Sequence, residues 1–277
     1  GGAAALPDRV PIIVEGDLIQ VGGALGDFDV AGERLIAVLG QRVVVGQLGA
    51  PGEWFTAAAS PIADDGILDV TFVDERWAAV LRGRHLCLVD ALADGPISFL
   101  GCTALAVPAV HLQAGGGWCA VELKDRAVSV FRAVDGVLTP APTVVRPAIG
   151  YSGFAIAGDA VAVIEPDDQV CGYALDDGAA LGCGARPGVN GLYGLGDVIA
   201  GYTPSAIVFD RPAALATGPV ATLPLVAPPT ALAGGHGVLA LQRGGTLTVV
   251  TMVGQAPRTT DLPFAGRLGG VAAAGRR

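Results

Sequence analysis

Trp77-Ala78-Ala79-Val80-Leu81-Arg82-Gly83-Arg84-His85-Leu86-Cys87-Leu88-Val89-Asp90 holds two short apolar runs on either side of Arg82-Gly83-Arg84. A glycine among polar residues between two β-prone runs reads as a tight hairpin. The pattern recurs along the chain. First runs begin at Leu35, Trp77, Trp118, Val161, Val198 and Val238, so their starts lie 42, 41, 43, 37 and 40 residues apart. A second run begins 8 to 10 residues after each start, at Val43, Leu86, Val128, Val170, Ile207 and Leu247. Each unit then adds a Gly/Pro/Asp turn, a third apolar stretch, and a Gly-rich segment leading into the next unit. Four short strands in roughly 40 residues is the period of a β-propeller blade. The Gly-rich strand suits the innermost place, where backbones approach closely around the axis.

Six units lie between about residue 27 and residue 267, and the remaining residues compose a seventh. Leu268-Gly269-Gly270-Val271-Ala272-Ala273-Ala274 reads as one more innermost strand. Ala3-Ala4-Ala5-Leu6 reads as a second strand, 10–15 as a third and 18–24 as a fourth. The expectation is therefore an all-β, seven-bladed propeller with four antiparallel strands per blade. Three N-terminal strands and one C-terminal strand close the last blade, and residues 1–277 form one domain. Closure of this kind removes free sheet edges.

Composition agrees with one large core. Hydrophobic residues make up 52% of the 277 and charged residues 16%, outside the disordered range. The formal net charge of −9 argues against a general nucleic-acid binder or a binder of anionic membranes. Apolar runs are interrupted by Gly, Pro or charge every few residues, so no membrane-spanning helix is expected. The first residues carry neither Met nor the basic and apolar regions of an intact signal peptide.

The run Leu86-Cys87-Leu88-Val89-Asp90, followed by Asp94-Gly95-Pro96, resembles the LVIVD-repeat β-propellers. Ile207-Val208-Phe209-Asp210 carries a weaker version, while Val43-Val44-Val45-Gly46 lacks the Asp. The resemblance implies an exported or cell-surface propeller. It implies no shared catalytic residues.

The five cysteines contain no C-x-x-C spacing. Folding unit two about Asp94-Gly95 sets Cys87 opposite Cys102, and folding unit four about Asp177 sets Cys171 opposite Cys183. Both second cysteines follow Leu-Gly. Matching pairs in two units predict two disulfides and an oxidising compartment: extracellular, periplasmic or cell surface. Cys119, beside Trp118 in a strand, is expected as a buried free thiol. Trp77 and Trp118 fall at equivalent strand positions and read as core.

Hairpin turns and inter-blade loops share one face of a propeller, the usual place for function. Arg9, Arg42, Arg84 and Arg126 occupy one repeat position on that face in four successive blades, with Arg146 on the same face. They compose a basic arc suited to an anionic group on a partner, because arginine presents a bidentate fork. They equally suit solvated hairpin ends. Nearer the axis stand Asp27, Asp69, His111 and Tyr151. Asp27 and Asp69 share a repeat position and could serve as acid and base or bind Ca²⁺. As turn residues bonding their own backbone they would need neither role. Three histidines, His85, His111 and His236, are too few for a histidine metal site, and no nucleotide or hydrolase motif is present, so no metal or cofactor is expected. The functional expectation is an exported, non-catalytic scaffold, acting as a single copy, that binds a protein, peptide or glycan on this face. The alternative is a propeller lyase, hydrolase or isomerase using His111 and Asp69 at the channel mouth.

Overall fold

A computed structural model describes residues 25–264 apart from 32–33, 49–53, 61–62, 94–95, 126, 142–144, 146–152 and 236. The described residues form six four-stranded sheets, each a simple up-and-down meander in sequence order. The blades span residues 25–59, 67–104, 109–140, 154–185, 191–224 and 231–263. Their first strands are Leu25–Ala31, Ile67–Phe72, Ala109–Gly115, Phe154–Ala157, Gly191–Leu195 and Ala231–Gly235. Successive first strands are neighbours, so these line the axis, the place expected for the Gly-rich strand, although Ile67–Phe72 and Phe154–Ala157 contain no glycine.

The protein is a six-bladed propeller, which corrects the seven blades expected from sequence. Six sheets account for every strand among the described residues. The seventh blade rested on residues 3–24 and 268–274, which lie outside the described residues. Its closing strand is a run of Ala and Gly, poor in the β-branched and aromatic residues that define the other units.

The core lies between blades. From the second strand of blade 2, Ala78 and Val80 join Ile36, Val38, Val43 and Val45 of blade 1. Ala79 and Leu81 of the same strand join Cys119, Val121 and Phe131 of blade 3. Burial on both faces explains why these strands read as unbroken apolar runs and not as alternating ones. Fourth strands, such as Leu100–Ala104 and Ala180–Ala185, are mostly exposed.

Both expected disulfides are formed, Cys87–Cys102 and Cys171–Cys183, and Cys119 is free and buried. Each ties a buried third strand to the exposed fourth. The shared Leu-Gly makes a register shift in both fourth strands, with Gly101 and Gly182 at φ 52° and 125°. A residue with a side chain is disfavoured there. Trp77 and Trp118 are buried, with Arg76 and Arg132 lying over their rings.

Candidate functional site

First strands begin at the end of the molecule that carries the hairpin turns, because Ile67 pairs with Arg82 and Leu25 with Leu39. Three of them begin with a bulge. The extra residue is Leu68 in blade 2 and Val110 in blade 3, and it falls at Gly26-Asp27 in blade 1. These positions are 42 residues apart. Leu68 and Val110 are turned outward and are 54% and 51% exposed. A bulge of this kind re-aims the side chains beside it.

The residues beside the bulges join blades. Asp27 Oδ2 accepts from the Val70 N–H at 3.1 Å. Asp69 Oδ2 accepts from the Leu112 N–H at 2.8 Å and lies 3.0 Å from His111 Nδ1. One step further in, Asp29 Oδ2 accepts from the Phe72 N–H at 2.7 Å and the Thr71 hydroxyl at 2.9 Å. Gln113 donates to the Phe154 carbonyl at 2.8 Å and accepts from the Ile156 N–H at 3.3 Å. Every backbone N–H in these ties stands 43 residues after the side chain that holds it. Blades 1 to 4 are thus stitched by side chains reaching the next inner strand.

Asp27, Asp69 and His111 also act on one another. Desolvation first, then the hydrogen bond and charge of Asp69, push the Asp27 carboxyl up to about 7. Desolvation works against the Asp69 carboxylate, yet His111, Asp27 and the Leu112 N–H together hold it below the usual range. Desolvation likewise opposes the charged form of His111. The Asp69 hydrogen bond and charge, with Glu122 and Asp27 behind them, outweigh that and raise it. The Phe154 ring meets the imidazole edge to face at 5.7 Å.

Of the expected basic arc, Arg42 and Arg84 are exposed at their hairpins, and both guanidinium groups fold back on the chain. Arg42 donates to the Ser60 carbonyl at 3.2 Å, and Arg84 to the Ala106 carbonyl at 2.6 Å. Each spans its own blade to hold the segment leading to the next. Arg82, on the same rim, is paired with Asp65 at 2.8 Å and lies over Phe99. Arg9, Arg126, Arg146 and Tyr151 lie outside the described residues.

Sequence reasoning missed Asp29, Gln113 and the outward Leu68 and Val110. A signal for the ties existed in the 42-residue spacing of Asp29, Thr71 and Gln113. It also missed the buried pair of Arg186 with Asp210, in which Arg186 Nη2 donates to the Leu215 carbonyl as well. Asp90 and Asp210, the acidic ends of the two LVIVD-like strands, each receive an arginine, Arg76 and Arg186. The motif aspartate is thereby an anchor for a neighbouring turn. Burial pushes the Cys119 thiol far up, which leaves it without nucleophilic character. Among the described residues no group of three His, Cys, Asp or Glu side chains could hold a metal ion.

This architecture defines the class: an all-β propeller of six blades. No family model and no curated sequence matches the chain. Similar solved structures are propellers from distant sources. Hsv2 of Kluyveromyces lactis has a TM-score of 0.61 at 12% identity, covering 82% of this chain and 73% of its own. A chain of the mitotic checkpoint complex has a TM-score of 0.63 at 14% identity, covering 90% and 81%. PorZ of Porphyromonas gingivalis, a bacterial surface component of the type-IX secretion system, has a TM-score of 0.61 at 15% identity. This chain covers only 34% of PorZ. At such identities the likeness is one of fold. Two disulfides fit folding in an oxidising compartment. Among the described residues no helix is long and apolar enough to cross a membrane.

Proposed function

We propose that this protein is an exported, non-catalytic binding propeller whose hairpin-turn face docks a protein or peptide partner. The observation that carries the reading is the pair Leu68 and Val110. Two large apolar side chains stand outward at equivalent bulges in adjacent blades, beside the polar Asp27, Asp69 and His111. An apolar pair set among polar groups at a channel mouth is the composition of a recognition patch. Arg42, Arg84, Arg126 and Arg146, with Tyr151, would form its rim toward an anionic group on the partner. The two disulfides support export, to the extracellular space, periplasm or cell surface. The mitotic checkpoint complex is an assembly, and a propeller takes part in it. The likeness to LVIVD-repeat strands is consistent with the same role.

A second reading has one observation in its favour. Asp27, held near neutrality beside the His111–Asp69 pair, has the properties of an acid–base group in a lyase, hydrolase or isomerase. The two readings separate in one experiment. The protein is immobilised and exposed to the extracellular fraction of its source, and retained proteins are identified and re-tested as purified components. Leu68→Asp with Val110→Asp should abolish retention of the partner while His111→Ala leaves it within a few-fold. Replacing Arg42, Arg84 and Arg126 together by Ala should weaken an anionic partner several-fold and remove most of its salt dependence. Unchanged retention by both multiple variants would count against the docking face. A turnover activity lost in His111→Ala would establish the enzyme.

A further inference from the structure

We infer that the seam joining the inner strands of blades 1, 2 and 3 is a proton-responsive clamp, tighter in mildly acidic than in mildly alkaline solution. It stands on geometry that is independent of any partner. Asp27, Asp69 and His111 come from three successive first strands, at positions 42 residues apart, and each reaches the strand beside it. The same carboxylates that hold the Val70 and Leu112 N–H groups across the seams also face one another.

The groups around the seam come from four strands. The first strand of blade 1 gives Asp27, that of blade 2 Asp69, and that of blade 3 His111. The second strand of blade 3 adds Glu122 behind the imidazole. Among the described residues blade 4 adds the Phe154 ring, which carries no charge. Arg82, at the near end of the second strand of blade 2, is held on Asp65. Among the described residues the local balance is therefore three carboxyls against one imidazole. With every proton lost, Asp27 and Asp69 repel across the seam and His111 no longer offsets Asp69.

The sign follows from each group. Asp27 is raised from 3.8 to about 7, so the stability its proton confers is complete below 3.8 and lost as the pH climbs through about 7. His111 is raised above 6.5, so its contribution is present below 6.5 and lost as the pH passes its elevated value. Asp69 is lowered, so its contribution is present above 3.8 and disappears only in stronger acid. Between pH 5 and pH 8 the two changing groups act in the same direction. Asp27 and His111, though packed among their neighbours, both keep part of their surface in solvent, which reduces the effect well below what the full displacements would give.

The test is chemical denaturation of the intact protein at pH 5, 6.5 and 8, with wild type beside Asp27→Asn and His111→Gln. Asn keeps an oxygen for the Val70 N–H and can donate to Asp69, so it imitates the protonated acid at every pH. The folded-to-unfolded ratio of Asp27→Asn, relative to wild type, should rise about tenfold or more from pH 5 to pH 8, the factor that one pKa unit represents. His111→Gln should cost more at pH 5 than at pH 8, because it removes the cation that Asp69 meets. Native-state hydrogen exchange of the wild type, corrected for intrinsic rate, should lose protection at Val70 and Leu112 over the same interval. That measurement decides alone if a variant does not fold. A flat ratio for Asp27→Asn, or unchanged protection at both amides, overturns the clamp.

Discussion

Asp29 shows how much one side chain can hold. It is buried, and its carboxylate accepts from its neighbour Val30 N–H, from Phe72 N–H and from the Thr71 hydroxyl in the next blade. Removing it leaves buried donors without their acceptor, and unmet donors are costly. Asp29→Ala should lower stability by about 2–3 kcal/mol in urea denaturation, with hydrogen exchange rising first at Phe72. Blades 4 to 6 use a different device. A Cβ on Gly194 would run into the Ile156 carbonyl oxygen, and one on Gly234 into the Tyr193 ring. Close backbone approach there replaces the side-chain ties of blades 1 to 4. Gly194→Ala should therefore cost about 1–3 kcal/mol through forced separation of the two inner strands, measurable as a shift in denaturation midpoint. Neither role was legible locally. Asp29, two residues after Asp27, resembles a surface residue unless its place in the 42-residue spacing with Thr71 and Gln113 is noticed, and nothing marks which glycine faces a carbonyl.

Among the elements, the hairpins of second and third strands were the most legible, because both faces are buried and the apolar runs are continuous. The cysteine pairs were legible for a different reason. They repeat in two units, each behind a Leu-Gly that makes the register shift, so spacing alone sets Cys171 opposite Cys183. Replacing Cys171 and Cys183 together by Ala should cost about 2–4 kcal/mol, and thiol titration of the denatured, unreduced wild type should give one free thiol, Cys119. Five free thiols would remove the case for an oxidising compartment. The arginines were legible as positions but not as interactions. A guanidinium on a hairpin can reach a carbonyl 18 or 22 residues away, as Arg42 and Arg84 do, and no local pattern records that. The blade count misled because a propeller's period fixes the size of a blade and not how many complete ones the leftover residues can make.

At the scale of the whole molecule, apolar clusters sit between blades, so each blade is half of two cores. In blade 2, Ala78, Val80 and Val89 complete the cluster with blade 1, and Ala79, Leu81, Leu86 and Leu88 complete the one with blade 3. All seven are fully buried in the protein and would be in water in an isolated blade. The Cys87–Cys102 bond joins only the third and fourth strands, and so restores neither face. Repeat arrays of this kind take their stability from interfaces between neighbours. A peptide of residues 60–105 with its disulfide formed should therefore show no cooperative thermal transition by circular dichroism, although it contains every strand of its sheet. A sharp transition in that peptide would mean that one blade carries a core of its own. Adding residues 106–141 supplies blade 3 and completes one of the two clusters, so the longer peptide should gain a cooperative transition that the shorter one lacks, with slowed amide exchange across the strands of blade 2.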